Sequence, residues 1–145
     1  MESAKYFLST IDGVFYIIYS EEIDPILRPT LNLLLSKNLF SITKETSGGV
    51  SIIYRFSDKD DIGETIKGDM LFYKSSDIYK CVQVTTANPG LGESGMLSEV
   101  TGFFAKLKIP ILCLSTWNCN YIYYLQEHQP KLEKACLNDA DFYLE

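Results

Sequence analysis

Apolar residues Met96, Val100, Phe103, Phe104 and Leu107 recur along one helical stripe, while Ser98, Glu99, Lys106 and Lys108 fall off it. That spacing predicts an amphipathic helix with one buried face. Glycines at 90, 92 and 95 predict a sharply turning loop before the helix, and Ser94 is placed to cap its start. Pro110 lacks an amide and restrains the residue before it, so the helix is expected to stop near Lys108. Residues 111–116 have no wholly polar face until Thr116, which predicts a buried strand in a sheet covered by helices. Asn118, Cys119 and Asn120 supply turn chemistry, and residues 121–125 predict the returning strand.

The first half of the chain carries the same pattern, offset by 72 positions. Phe40 and Ile42 then match Leu112 and Leu114, the pair Gly48 and Gly49 matches the bend at 120–121, and Val50, Ile52 and Tyr54 match Ile122, Tyr124 and Gln126. Leu31 and Leu35 match Phe103 and Leu107 of the helical stripe. Identity is low, so the repeat is one of spacing. Residues 14–19 and 79–85 each predict a leading strand, and Asp24 followed by Pro25 reads as a helix start, with Pro29 bending that helix or marking its real beginning. The expected organisation is two β-α-β-β units. The first spans residues 1–74 and includes an acidic connector at 57–69; the second spans 75–145. Met70, Leu71, Phe72 and Tyr73 resume an apolar run that predicts a short strand or helix ahead of the second unit.

Composition narrows the function. A chain of 145 residues is one ordinary domain or two small ones sharing a core, and 46% hydrophobic residues without a low-complexity tract predict that it folds. Its 10 Tyr and 8 Phe alternate through the strands, which predicts a sheet face packed under helices or used for association. A homodimer is expected. The net charge of −6 has no basic cluster to oppose it, which disfavours nucleic acid. Tyr121 and Tyr123 lack the accompanying glycines and cations of an RNA-stacking sheet. Cysteines 81, 113, 119 and 136 show no CxxC spacing and read as small buried hydrophobes in a reducing compartment. With one His in the chain, no zinc site is expected. Asp58, Asp60, Asp61 and Gly63 fail the spacing of a calcium loop, so the connector reads as solvated.

The first ten residues are too polar for a secretory signal, and no run reaches the ~20 apolar residues that span a bilayer. A cytoplasmic location without membrane association is expected. Cys119 and His128 are the only nucleophile and base to be drawn together, and no spacing joins them. Without a phosphate loop, dinucleotide fingerprint or nucleophile elbow, the chain reads as a non-enzyme that needs no cofactor. The candidate chemistry is binding. Amides at the start of the helix after residue 95 are electropositive and suit a carboxylate or another small anion, and a β-α-β-β unit returns the 115–121 bend beside them.

Residues 79–136 resemble an ACT domain, the small ligand-sensing module of aspartokinase regulatory regions, and most of all the variety in CASTOR-type amino-acid sensors and their bacterial relatives. The second strand of that variety tends to read I-S-T-aromatic-D-T-D-aromatic, against Leu114, Ser115, Thr116, Trp117, Asn118, Cys119, Asn120 and Tyr121 here. Ser94, Gly95, Met96 and Leu97 resemble its helix start. The resemblance implies a mixed α/β fold of the α+β kind: two ferredoxin-like βαββ units packed together, with a largely antiparallel sheet and helices on one face. It also implies a tandem amino-acid-binding regulatory protein with a partner protein to inform. Carried over from the motif, the ligand carboxylate would meet the amides of Gly95 and Met96 with the Ser94 hydroxyl. The ligand amine would meet Thr116, Asn118 and the backbone near Asn120. Both acidic positions of the bend are amides here, which removes charge-assisted partners for arginine and favours a neutral amino acid or a degenerate site. Glu93 and Glu99 are the remaining acidic candidates. The alternative is a structural or protein-protein interaction module that has lost its ligand.

Overall fold

The computed structural model describes residues 4–20, 39–56, 73–74, 77–86, 95–117 and 119–145. It is a mixed α+β structure whose strands are largely antiparallel. Two compact units divide the chain, but not as halves. Met1–Asp12 joins Tyr79–Glu145 in one unit, and Gly13–Ile78 forms the other. The first strand therefore lies across the boundary expected at residue 74, because its hydrogen-bonding partners are in the second half of the sequence.

In the larger unit β1 (Tyr6–Thr10) pairs antiparallel with β6 (Tyr79–Thr86) on one side and parallel with β9 (Phe142–Leu144) on the other. On its other side β6 pairs with β8 (Asn120–Leu125), which pairs with β7 (Ile111–Ser115). The order is β7-β8-β6-β1-β9. Between β6 and β7 runs α1 (Met96–Lys106), and between β8 and β9 a short 3-10 turn leads into α2 (Gln129–Leu137).

Alternation in these strands puts Leu8, Val82, Val84, Ile122 and Tyr124 on one face, where they are buried with Met96, Val100, Phe103 and Phe104 of α1 and Leu132 and Cys136 of α2. Both helices thus cover the same face. Phe142 sits between two rings, stacked on Tyr6 at 5.2 Å and on Phe103 at 4.0 Å between centroids. The predicted stripe of α1 is the buried stripe. Its end is a Schellman motif: the Lys108 amide donates to the Ala105 carbonyl, and the Ile109 amide to the Phe104 carbonyl. Lys108 holds the left-handed backbone that this motif requires, at φ 57°.

One expectation fails. β7 is not buried: among the described residues it pairs with β8 alone, and Leu112 and Cys113 on it are exposed. The apolar run Ile111–Leu114 reads the same in a central strand and in an edge, since periodicity reports side chains and not neighbours. The four cysteines are free, but only Cys81 and Cys136 are buried.

The smaller unit contains β2 (Val14–Ser20), β3 (Leu39–Lys44), β4 (Val50–Phe56) and the short β5 (Tyr73–Lys74), in the order β3-β4-β2-β5. All three pairings are antiparallel. Phe15, Val50, Ile52, Ile53 and Tyr54 are buried apolar residues of this unit among the described residues. Gly48, at φ 96°, turns the β3–β4 hairpin, with its amide donating to Glu45 at 2.9 Å. β2, β3, β4 and β5 occupy the same order as β6, β7, β8 and β1, so the spacing repeat reappears as a repeat of strand order. The helix expected near Asp24, Pro25 and Pro29 and the acidic connector at 57–69 lie outside the described residues.

Candidate functional site

β6 and β7 run parallel to each other on either side of β8, so the end of β6, the start of α1 and the end of β7 all lie at one end of the larger unit's sheet. The register makes this concrete. Ser115 faces Asn120, Asn120 faces Val84, and two residues further along β6 Thr86 faces Tyr6. The Tyr6 hydroxyl donates to Glu99 in the first turn of α1 at 2.5 Å. Strands lie ~4.8 Å apart, so Asn120 and Tyr6 are separated by about 10 Å across the sheet.

Of the residues singled out from the sequence, Gly95, Met96, Glu99, Thr116 and Asn120 are therefore brought to this end, while Glu93, Ser94 and Asn118 lie outside the described residues. The helix cap is Gly95, one residue later than expected, and it makes no side-chain cap bond. Its carbonyl accepts the Glu99 amide at 3.1 Å, which leaves the first amides of α1 directed past the helix start. Met96 offers such an amide only; its side chain is buried in the core.

The bend closes on itself. The Thr116 amide donates to the Cys119 carbonyl at 2.8 Å, and the Cys119 amide donates to Thr116 Oγ1 at 3.1 Å. Ser115 Oγ donates to Asn120 Oδ1 at 2.6 Å, so Asn120 presents its amide nitrogen as the remaining donor. Beneath the bend, Gln83 Nε2 donates to Cys119 Sγ at 3.2 Å. Tyr121 is pushed up to about 12 by its hydrogen bond with Cys119 and by burial. Trp117 at the tip is 97% exposed.

Two residues at this end were not anticipated. Lys5 Nζ approaches the Glu99 carboxylate at 2.8 and 3.1 Å and also lies 5.4 Å from the centre of the Tyr6 ring. Lys5 and then Tyr6, by their hydrogen bonds, hold the Glu99 carboxyl below the usual range. Burial, then the bond to Glu99, pushes the Tyr6 hydroxyl up; the Lys5 ammonium is raised by Glu99. The charge of Glu99 is thus matched within the protein. Nothing in the local sequence signals a pairing across 94 positions.

A shallow cleft of about 300 Å³ lies elsewhere, at the β9 edge, lined by Glu133, Cys136, Leu137, Tyr143 and Leu144. None of the candidate site residues lines it. Among the described residues no group of three His, Cys, Asp or Glu side chains is arranged to hold a metal ion, and no helix is long and apolar enough to cross a membrane.

At the level of sequence the chain matches no protein-family model and no curated protein. Its fold is similar to that of an Agrobacterium tumefaciens protein, with a TM-score of 0.68 at 17% identity over 99% of this chain and 96% of that one. A Vibrio cholerae protein of unknown function, described as a possible transport protein, is similar with a TM-score of 0.64 at 11% identity over 94% of this chain and 91% of that one. The aspartate kinase of Clostridium acetobutylicum, an allosteric enzyme, is similar with a TM-score of 0.58 at 14% identity. That match covers 86% of this chain and 32% of the kinase.

Proposed function

We propose that the chain is a tandem ACT-type regulatory protein, two ferredoxin-like units in the cytoplasm that bind a neutral amino acid or a related metabolite and perform no catalysis. The observation that carries this reading is the convergence of the α1 start and the Ser115–Asn120 pair at one end of one sheet. The exposure of Trp117 at the tip of the bend supports it, as does the likeness of fold to part of an allosteric aspartate kinase. In this proposal the carboxylate of the ligand meets the amides of Gly95 and Met96 with the Ser94 hydroxyl. Its amine meets Thr116, Asn118 and the backbone near Asn120. Glu99 acts there as the anchor of Lys5, a cation that complements the carboxylate. Occupancy informs a partner protein only if the ligand prefers one of two arrangements.

A thermal-shift panel of all the amino acids is the test. Saturable stabilisation by a neutral amino acid, lost on Asn118→Ala or Ser94→Ala, is the expected result. A flat response to the whole panel would overturn the reading. A second reading, an interaction module whose ligand site has degenerated, is favoured by the internal commitments of Thr116, Asn120 Oδ1 and Glu99.

A further inference from the structure

We propose that the cleft between α2 and β9 is a docking site for a partner protein, and that the segment it takes carries Leu or Phe beside Arg. The proposal is independent of what the start of α1 binds. The cleft, of about 300 Å³, is lined by Glu133, Cys136 and Leu137 of α2 and by Tyr143 and Leu144 of β9. Two of these side chains are apolar bodies left largely in water: Leu137 is 87% exposed and Tyr143 52%. Exposed apolar groups scattered singly carry no message, but here two elements bring them to one concave place.

Two of the lining groups are held in position from inside the unit. The buried Tyr124 donates its hydroxyl to Gln129 Oε1, and Gln129 Nε2 donates to Glu133 Oε1 at 3.0 Å. This chain of hydrogen bonds fixes a carboxylate in the cleft wall. The Tyr143 ring is backed by Phe7, edge-to-face with 6.1 Å between centroids. Both side chains have already given up part of their freedom, so a partner that meets them loses less entropy on binding. A fixed carboxylate and an aromatic ring in one cleft suit a guanidinium, which pairs with the one and stacks on the other. The apolar wall of Leu137 and Leu144 suits a Leu or Phe next to it.

Charge selects the kind of occupant. Residues 135–145 hold Asp139, Asp141 and Glu145 and no basic residue, and Lys131 and Lys134 of α2 do not line the cleft. Asp141 and Glu145 are exposed on either side of β9. A second copy of this chain would bring the same acidic groups against them, and nucleic acid is repelled likewise. A basic segment is attracted by all of them. A free small molecule fits less well, since such ligands are enclosed over most of their surface and this cleft is shallow.

Backbone amide NMR of the full chain, titrated with a short acetylated peptide of alternating Leu and Arg, tests the proposal. A matching peptide of Leu and Glu is the control. Saturable shifts centred on Glu133, Leu137, Tyr143 and Leu144 are expected with the first peptide and none with the second. Glu133→Lys should weaken binding by about fivefold or more, since reversal replaces attraction with repulsion. Glu127→Lys makes the same change of net charge at an exposed carboxylate outside the cleft, and should alter binding by about twofold or less. Leu137→Ser should weaken it as well and, at a side chain outside any core, leave the circular dichroism spectrum alone. Equal weakening by the two charge reversals, equal binding of the two peptides, shifts centred elsewhere, or no saturation by about 1 mM peptide would overturn it. So would sedimentation showing a dimer of the chain that Leu137→Ser abolishes.

Discussion

Glu99 is one of two remaining acidic candidates near the expected site, yet its carboxylate is held by Lys5 and Tyr6. The consequence is a pH dependence with a definite sign. A carboxyl whose folded pKa lies below the ordinary 4.5 adds stability that is present above that value and is lost as pH falls through the folded one. Lys5 and Tyr6, both raised, add stability that is present below their ordinary values of 10.5 and 10.0 and is lost above them. Chemical denaturation across pH should therefore show a Glu99→Gln variant losing less stability than the wild type as pH falls below about 5. Parallel acid limbs for the two proteins would contradict the assignment. This pairing was illegible in the sequence because it joins an N-terminal Lys-Tyr pair to a helix 94 positions away, whereas local spacing reports only residues that share an element.

α1 was readable from its stripe, and so was the approximate place where it ends. What remained hidden is how it ends. The left-handed position falls on Lys108, where glycine is usual, because Ile109 must turn back to bury its side chain beside Phe104. Left-handed backbone costs a residue with a Cβ roughly 1–2 kcal/mol. Lys108→Gly should therefore raise stability by about 0.5–1 kcal/mol once the extra freedom of glycine in the unfolded chain is offset. Urea denaturation measures this; a loss of stability would show that the Lys108 side chain makes a contact worth more than the strain. The hairpins were legible for a different reason, the alternation of Val50, Ile52 and Tyr54 around the turn at Gly48. β7 was not, because the same four apolar residues serve a central strand or an exposed edge, and only the neighbours decide.

Across the whole molecule the two units share one strand order, which the 72-residue repeat foreshadowed. The place of β1 could not be read. In the smaller unit the fourth position of that order is filled by β5, close in sequence; in the larger it is filled by the start of the chain. Short strands carry little information about partners, since any strand with an apolar alternate can fit a vacant position. Because β1 stands between β6 and β9 and buries Leu8 completely, removing residues 1–12 should abolish the cooperative unfolding transition of the larger unit. A peptide of residues 4–12 added in trans should restore it in part. Calorimetry of the truncated chain makes the comparison; an unchanged transition would contradict the role of β1.

In the proposed function the start of α1 and the Ser115–Asn120 pair receive one small ligand together. Backbone amide NMR during titration with the amino acid that gives the largest thermal shift tests it most directly. Saturable shifts at Gly95, Met96, Thr116 and Asn120 that follow a single binding curve are expected. Shifts confined to the β9 cleft around Leu137 and Tyr143, or none at Gly95 and Asn120 at saturation, would contradict it.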